Sequence, residues 1–175
     1  MKKFELTTES IETVSGEKLF RIKALVSFDA VEAGELGGYV EKEENLSHEG
    51  NAWVYDNAQV YGNARVYGNA WVYDNARVHG NARVHGNAQV CGDADIYDNS
   101  QKSSVDGFGS ENRTTTFFRE KSGGVGVKCG CIYGTLDEFR EKVRKTHGDS
   151  EIAQEYLAIA DVEERRFKRV AKKGE

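Results

Sequence analysis

Proline is absent from all 175 residues, where average usage of about 5% would supply roughly nine. No segment therefore depends on a fixed φ, and every backbone N–H past the first residue can join a ladder. Cysteine is scarce at three, an odd number that gives no disulfide framework and suits a reducing compartment. No run approaches the ~18 apolar residues of a membrane helix, so no membrane partner is expected. Met1-Lys2-Lys3-Phe4-Glu5 opens without an apolar stretch, and no secretory leader is expected. Charge of one sign does not dominate. The net charge of −5 weighs against a nucleic-acid backbone as the main partner.

Glycine, by contrast, is abundant at 19, and a repeat sets its placement. From residue 51 to 98 run eight hexads: NAWVYD, NAQVYG, NARVYG, NAWVYD, NARVHG, NARVHG, NAQVCG and DADIYD. NLSHEG (45–50) reads as a degenerate ninth and NSQKSS, from Asn99, as a decaying tenth. Ala and Val stand two apart, so both point to one side of a strand and fill a narrow interior. The next three residues, such as Tyr55-Asp56-Asn57, must turn a corner, where Gly, Asn and Asp tolerate positive φ. Three hexads per turn close a triangular coil of 18 residues, a parallel β-helix expected over 45–104.

The period assigns outward side chains to columns about 4.8 Å apart. One face carries Trp53, Trp71 and Gln89; the next Gln59, Arg77 and Asp95; the third Arg65 and Arg83, with Gln101 if the coil continues. Corner columns are Tyr55, Tyr73, Cys91; Tyr61, His79, Tyr97; and Tyr67, His85. So short a solenoid needs caps at both ends. Residues 1–44 are expected to be a β-rich N-terminal cap, with a turn at Ser15-Gly16-Glu17, a strand alternating from Phe20 to Phe28, and an acidic lead-in over 30–44. Residues 105–175 are expected to form a linker and an α+β C-terminal cap that packs on the coil's end or swaps to a neighbour. Within this part, 100–112 reads as a Ser/Gly-rich linker; Thr114–Arg119 and Val125–Tyr133 as a hairpin; Thr135-Leu136-Asp137-Glu138 as a capping box. A second helix begins near Ser150, and 165–173 is a basic tail. Cys129 and Cys131 are expected on one side of a strand as small buried hydrophobes, not metal ligands.

The segments Leu19-Phe20-Arg21-Ile22-Lys23-Ala24-Leu25, Ala33-Gly34-Glu35-Leu36-Gly37-Gly38 and Val127-Lys128-Cys129-Gly130-Cys131, together with the repeats, resemble phage- and prophage-encoded hexapeptide-repeat proteins, often labelled polymer-forming or transferase-like. The resemblance implies a left-handed coil, a homotrimer, and a virus-borne accessory protein made in the cytoplasm of a bacterial host.

Three functions compete. The first is sequestration of a nucleotide-derived immune signal between trimer subunits, without catalysis. Trp53 and Trp71 would stack bases, Arg65, Arg77 and Arg83 would hold phosphates, and Tyr67, His79 and His85 would add hydrogen bonds. The second is acyl transfer, with His79 or His85 as general base. Against it stands the absence of any inserted loop in the eight hexads, where a substrate pocket would be built. The third is a structural, polymer-forming shaft. Each ligand residue has a plainer alternative: His replacing Tyr at a corner, and Trp or Arg at a subunit interface. No cofactor and no metal are expected.

Overall fold

The structure, a computed structural model, describes residues 1–171, with side chains through Val170. The chain divides into two compact units, 1–99 and 100–175.

In the first unit, β1 (Phe4–Glu12) and β2 (Lys18–Ala24) form an antiparallel hairpin, and β3 (Leu36–Val40) pairs with β2. Eight two-residue strands follow at six-residue intervals: β4 (Trp53–Val54), β5 (Gln59–Val60), β6 (Arg65–Val66), β7 (Trp71–Val72), β8 (Arg77–Val78), β9 (Arg83–Val84), β10 (Gln89–Val90) and β11 (Asp95–Ile96). They stack in parallel with partners 18 residues apart: β4-β7-β10, β5-β8-β11 and β6-β9. The result is a β-solenoid of three turns. Every repeat Ala, from Ala52 to Ala94, and every Val at its partner position is at most 1% exposed. Positive φ recurs every sixth residue from Gly50 to Gly92, with Asp at 56 and 74. The aspartates tie the corners together, Asp56 Oδ2 accepting from Asp74 N–H at 3.4 Å and Asp74 Oδ2 from Gly92 N–H at 2.9 Å. At Gly80 (φ 60°), a Cβ would stand 2.5 Å from the Tyr97 carbonyl.

The acidic lead-in is more than a lead-in. Within it, β3 pairs in parallel with β5, Tyr39 opposite Gln59 and Val40 opposite Val60, and so begins the first turn. The alternating strand expected as far as Phe28 ends at Ala24, and Phe28 makes only a bridge to Val31. The hexad reading of NLSHEG is also corrected. Leu46, placed by that reading at the Ala position, instead bridges Val66 and occupies the Val position. Ser47 N–H donates to Val66 O (2.9 Å), as Tyr67 N–H does to Val84 O, and Gly50 stacks on Gly68, so His48 and Glu49 are two extra residues at this corner.

Each turn donates its N–H groups forward, as in Trp53 N–H to Ala70 O (3.1 Å) and Arg65 N–H to Ala82 O (3.0 Å). The leading edge is therefore a row of carbonyls, and side-chain donors cover it. Asn45, fully buried, donates through Nδ2 to Gly62 O (3.2 Å) and Ala64 O (2.9 Å), while its Oδ1 accepts from Lys42 N–H (3.0 Å). Lys3 Nζ reaches Gly50 O (3.2 Å) and Ala52 O (2.7 Å) and lies 4.7 Å from the Phe28 ring centroid. At the trailing edge the tenth hexad does not form. Asn99 Oδ1 accepts from Arg83 N–H (2.8 Å) where the next turn would stand, and Asn99–Gln101 form a short 3-10 helix instead of a strand.

Two outcomes follow from these caps. Asn45→Ala leaves one N–H and two carbonyls without partners, and we expect a loss of about 2–3 kcal/mol in urea denaturation; a loss under about 0.5 kcal/mol would remove the capping role. Lys3 bears on pH. Burial lowers its pKa from 10.5 to about 8, so the charged form costs stability. Below pH 8 both folded and unfolded chains hold the proton and the cost is constant. Between 8 and 10.5 the folded chain has released it first, so this group makes stability rise with pH, by up to about 3 kcal/mol. Lys3→Met should lack that rise; identical stability-versus-pH slopes in the two proteins would contradict it.

The second unit is an antiparallel sheet ordered β12 (Lys102–Phe108), β13 (Arg113–Arg119), β14 (Val125–Cys129), β15 (Ile132–Thr135), followed by α1 (Leu136–His147) and α2 (Glu151–Ala171). The helices lie against Phe117, Val127 and Cys129, burying Phe139, Tyr156 and Phe167. The 100–112 stretch is not a linker: β12 pairs with β13, and Ser103 Oγ donates to Glu163 on α2 at 2.8 Å. Val125–Tyr133 is two strands, not one, broken at Gly130 (φ 55°). Cys129 is buried and Cys131 exposed, so the two thiols do not share an environment. The capping box forms, Thr135 Oγ1 accepting from Glu138 N–H at 3.3 Å. Arg165, Arg166, Lys168 and Arg169 of the basic tail fall on α2; Lys172 and Lys173 lie outside the described residues.

Candidate functional site

The sequence columns exist, but their exposure differs from expectation. Arg65 and Arg83 stand in register on β6 and β9, both exposed. Among the described residues neither guanidinium has an ion-pair or hydrogen-bond partner. Beside them Tyr67 stacks on His85 with centroids 5.2 Å apart. Arg77 is in register on β8 between Gln59 and Asp95, on another face. Trp53 and Trp71 are in register too. Yet Trp53 is 0% exposed, enclosed by Phe28 (5.4 Å), Phe4 (6.2 Å) and Tyr55 (6.5 Å). The expectation that Trp53 stacks a base is therefore corrected. An outward position on the coil becomes interior once the β1–β2 hairpin and the 28–31 bridge lie over it. Trp71 stays partly exposed, edge-on to Tyr55 at 5.5 Å.

Ser47 and the inserted His48 make the feature that hexad counting missed. They wall a cavity of about 540 Å³ with Glu43, Glu44, Leu46, Arg65, Val66, Tyr67 and Arg83. The size falls within the range of small-ligand pockets. The wall is held rigidly from the N-terminus. Lys3 N–H donates to His48 Nδ1 (3.2 Å), Phe4 stacks on the His48 ring (4.4 Å), and His48 Nε2 faces Glu43 at 3.5 Å. With Nδ1 an acceptor, the imidazole proton sits on Nε2, toward the carboxylate. Lys2 pairs with Glu43 at 2.6 Å, and this ammonium, with His48 behind it, holds the Glu43 carboxyl below the usual carboxylate range. Glu43 is thus largely answered within the wall, whereas the two arginines are not.

A second cavity, also about 540 Å³, shares Arg65, Arg83 and Glu44 and is otherwise lined by Lys42, Asn45, Gly62, Asn63, Ala64 and Asn81. Asn63 Nδ2 donates to Asn81 Oδ1 at 3.3 Å, which leaves the Asn81 amide N–H donors and the Asn63 Oδ1 acceptor for a ligand. The arginines form a ridge between the two cavities.

His79, the acyltransferase candidate, lies elsewhere. Its Nε2 is 2.9 Å from Asp95 Oδ1, and its ring stacks on Tyr61 at 5.0 Å. Burial, then Asp95, raise the Tyr61 pKa, which keeps that phenol protonated. His85, the other candidate base, is stacked on Tyr67. The structure thus gathers Arg65, Arg83 and Tyr67 at one cavity, with His85 behind. It leaves Arg77 and His79 on a separate face, Trp71 on a third and Trp53 inside.

The parallel three-turn coil with a separate sheet-and-helix unit defines a mainly β, β-solenoid repeat protein. In keeping with this, a family model described as the YdcK beta solenoid repeat matches residues 58–73 and 72–86. No curated protein matches the chain. Among the described residues, no helix is long and apolar enough to cross a membrane.

Proposed function

We propose that the protein is a non-enzymatic binding module that holds a small nucleotide-type ligand by its phosphates. The observation that carries this is the Arg65–Arg83 pair, in register, exposed and unanswered, on the rim of a cavity that also presents Tyr67. Guanidinium forks match phosphate oxygens bidentately, and an exposed phenol ring offers a stacking surface. Because Trp53 is interior, the ligand sits in one chain's cavity and not against a Trp floor between copies. The coil is proposed to be left-handed and the assembly a homotrimer, both on the resemblance drawn from the flanking segments. The reading as a phage-borne trap for a bacterial immune signal rests on that resemblance alone.

One observation favours a second reading. The His79–Asp95 contact at 2.9 Å is the arrangement that orients a general base, which suits acyl transfer. Calorimetry separates the two. Binding of ADP and inorganic pyrophosphate that weakens with added salt supports the first reading. Binding of acetyl-CoA, with acyl transfer lost in His79→Gln, replaces it with the second. No binding of ADP or pyrophosphate at millimolar concentration removes the first. Light scattering at three times the chain mass supports the trimer; a monomeric mass rejects it.

A further inference from the structure

The two cavities that flank the arginine ridge differ in chemistry. The first has the Tyr67 ring and the His48 imidazole, while Leu46 and Val66 turn their side chains into the coil. In the corner column above Tyr67 the preceding turn supplies no aromatic ring: Ser47, whose N–H donates to Val66 O (2.9 Å) as that of Tyr67 does to Val84 O (3.0 Å), stands in that place, and the cavity opens beside it. A flat ring fits that side. The second cavity holds no aromatic residue; amides and an ammonium line it, from Asn63, Asn81 and Lys42. Such a surface binds hydroxyl groups, because each has both a donor and an acceptor to offer an amide pair. Glu44, common to both, accepts from a hydroxyl but repels a further phosphate.

Resting on the proposed nucleotide-binding role, we infer that the ligand is a nucleoside diphosphate whose distal phosphate carries a hydroxyl-rich, non-aromatic group. The base lies against Tyr67, the diphosphate crosses the ridge with one phosphate near each guanidinium, and the hydroxylated group lies along Asn63 and Asn81. Stacked strands are about 4.8 Å apart, so in-register arginines can take two phosphates joined by one bridging oxygen. A mononucleotide occupies half the site. A dinucleotide puts a second ring where nothing aromatic receives it.

The test is calorimetry on the full chain with ADP-ribose and UDP-glucose as probes, ADP and UDP as their truncated comparators, and diadenosine diphosphate as the two-ring alternative. We expect at least one sugar-bearing probe to bind about tenfold or more tightly than its own truncated form. Asn81→Ala should erase that gain while leaving ADP and UDP affinities within about twofold; Asn63→Ala should do the same, which guards against a fault in either variant. Tyr67→Ala should weaken long and short ligands alike. Equal affinity of the sugar-bearing and truncated ligands overturns the inference but leaves the nucleotide-binding role standing. So does a gain that survives both asparagine variants. Tightest binding of diadenosine diphosphate overturns it in favour of a second base. If neither ADP nor UDP binds, and the sugar-bearing probes do not either, both readings fall together.

Discussion

Arg65→Ala combined with Arg83→Ala should weaken binding of ADP by about 10²–10⁴-fold, since a charge-assisted hydrogen bond contributes about 1.5–3 kcal/mol and two are removed. Either single variant should lose about 10–100-fold. Both guanidiniums are exposed, so the folded state has little to lose, and denaturation midpoints should hold. Arg→Lys at either position keeps the charge but not the planar fork, and should fall between wild type and alanine. Raising salt should compress all these differences, because the site is open to water and screened. Calorimetry or competition with a fluorescent ADP analogue measures the series. Double-variant affinity within about threefold of wild type would place the phosphate site elsewhere.

The second large effect is on stability. Trp53→Ala should cost about 3–5 kcal/mol in urea denaturation, the range for emptying a buried aromatic site. Its indole fills the space between the first turn and the residues Phe4 and Phe28, so the loss loosens the N-terminal hairpin as well as the coil. Trp71→Ala, partly exposed at the next turn of the same column, should cost less than half as much. Under conditions where it is folded, Trp71→Ala should change ADP affinity by no more than about threefold. If Trp53→Ala leaves stability within about 1 kcal/mol of wild type, its burial is not what anchors the hairpin.

The coil itself was legible because its rule is local. Ala and Val two apart, and Gly or Asp every sixth residue, are constraints a single hexad must satisfy, and eight copies repeat them. Column assignments followed by counting and match the observed pairings, Arg65 with Arg83 and Trp53 with Trp71 among them. Depth was not legible. A period gives the direction of a side chain but not what a distant segment lays over it, and Phe4 is remote in sequence from Trp53. The insertion was hidden by coincidence. NLSHEG has six residues, an Asn first and a Gly last, so it passes as a repeat. The sign that it is not one is that Leu46 stands four residues before Gly50, where a repeat Val stands two before its Gly. That misreading also concealed the pocket, since Ser47 and His48 build its wall. The strand β12 was missed for a different reason. Ser103 is poor core material, and the Glu163 carboxylate that receives it lies on a helix near the far end of the chain.

The forward direction of the rung hydrogen bonds gives the coil a polarity like that of a screw thread. Donors from Lys3 and Asn45 close the end that shows only acceptors, and the Asn99 amide oxygen closes part of the end that shows only donors. Neither closure touches the middle. Eighteen residues spliced between the caps would therefore lengthen the thread by one pitch of about 4.8 Å without disturbing either end. Such a splice of the Asn-Ala-Arg type would also add a third guanidinium to the ridge, so coil length and the number of anionic groups it can hold are free to change together.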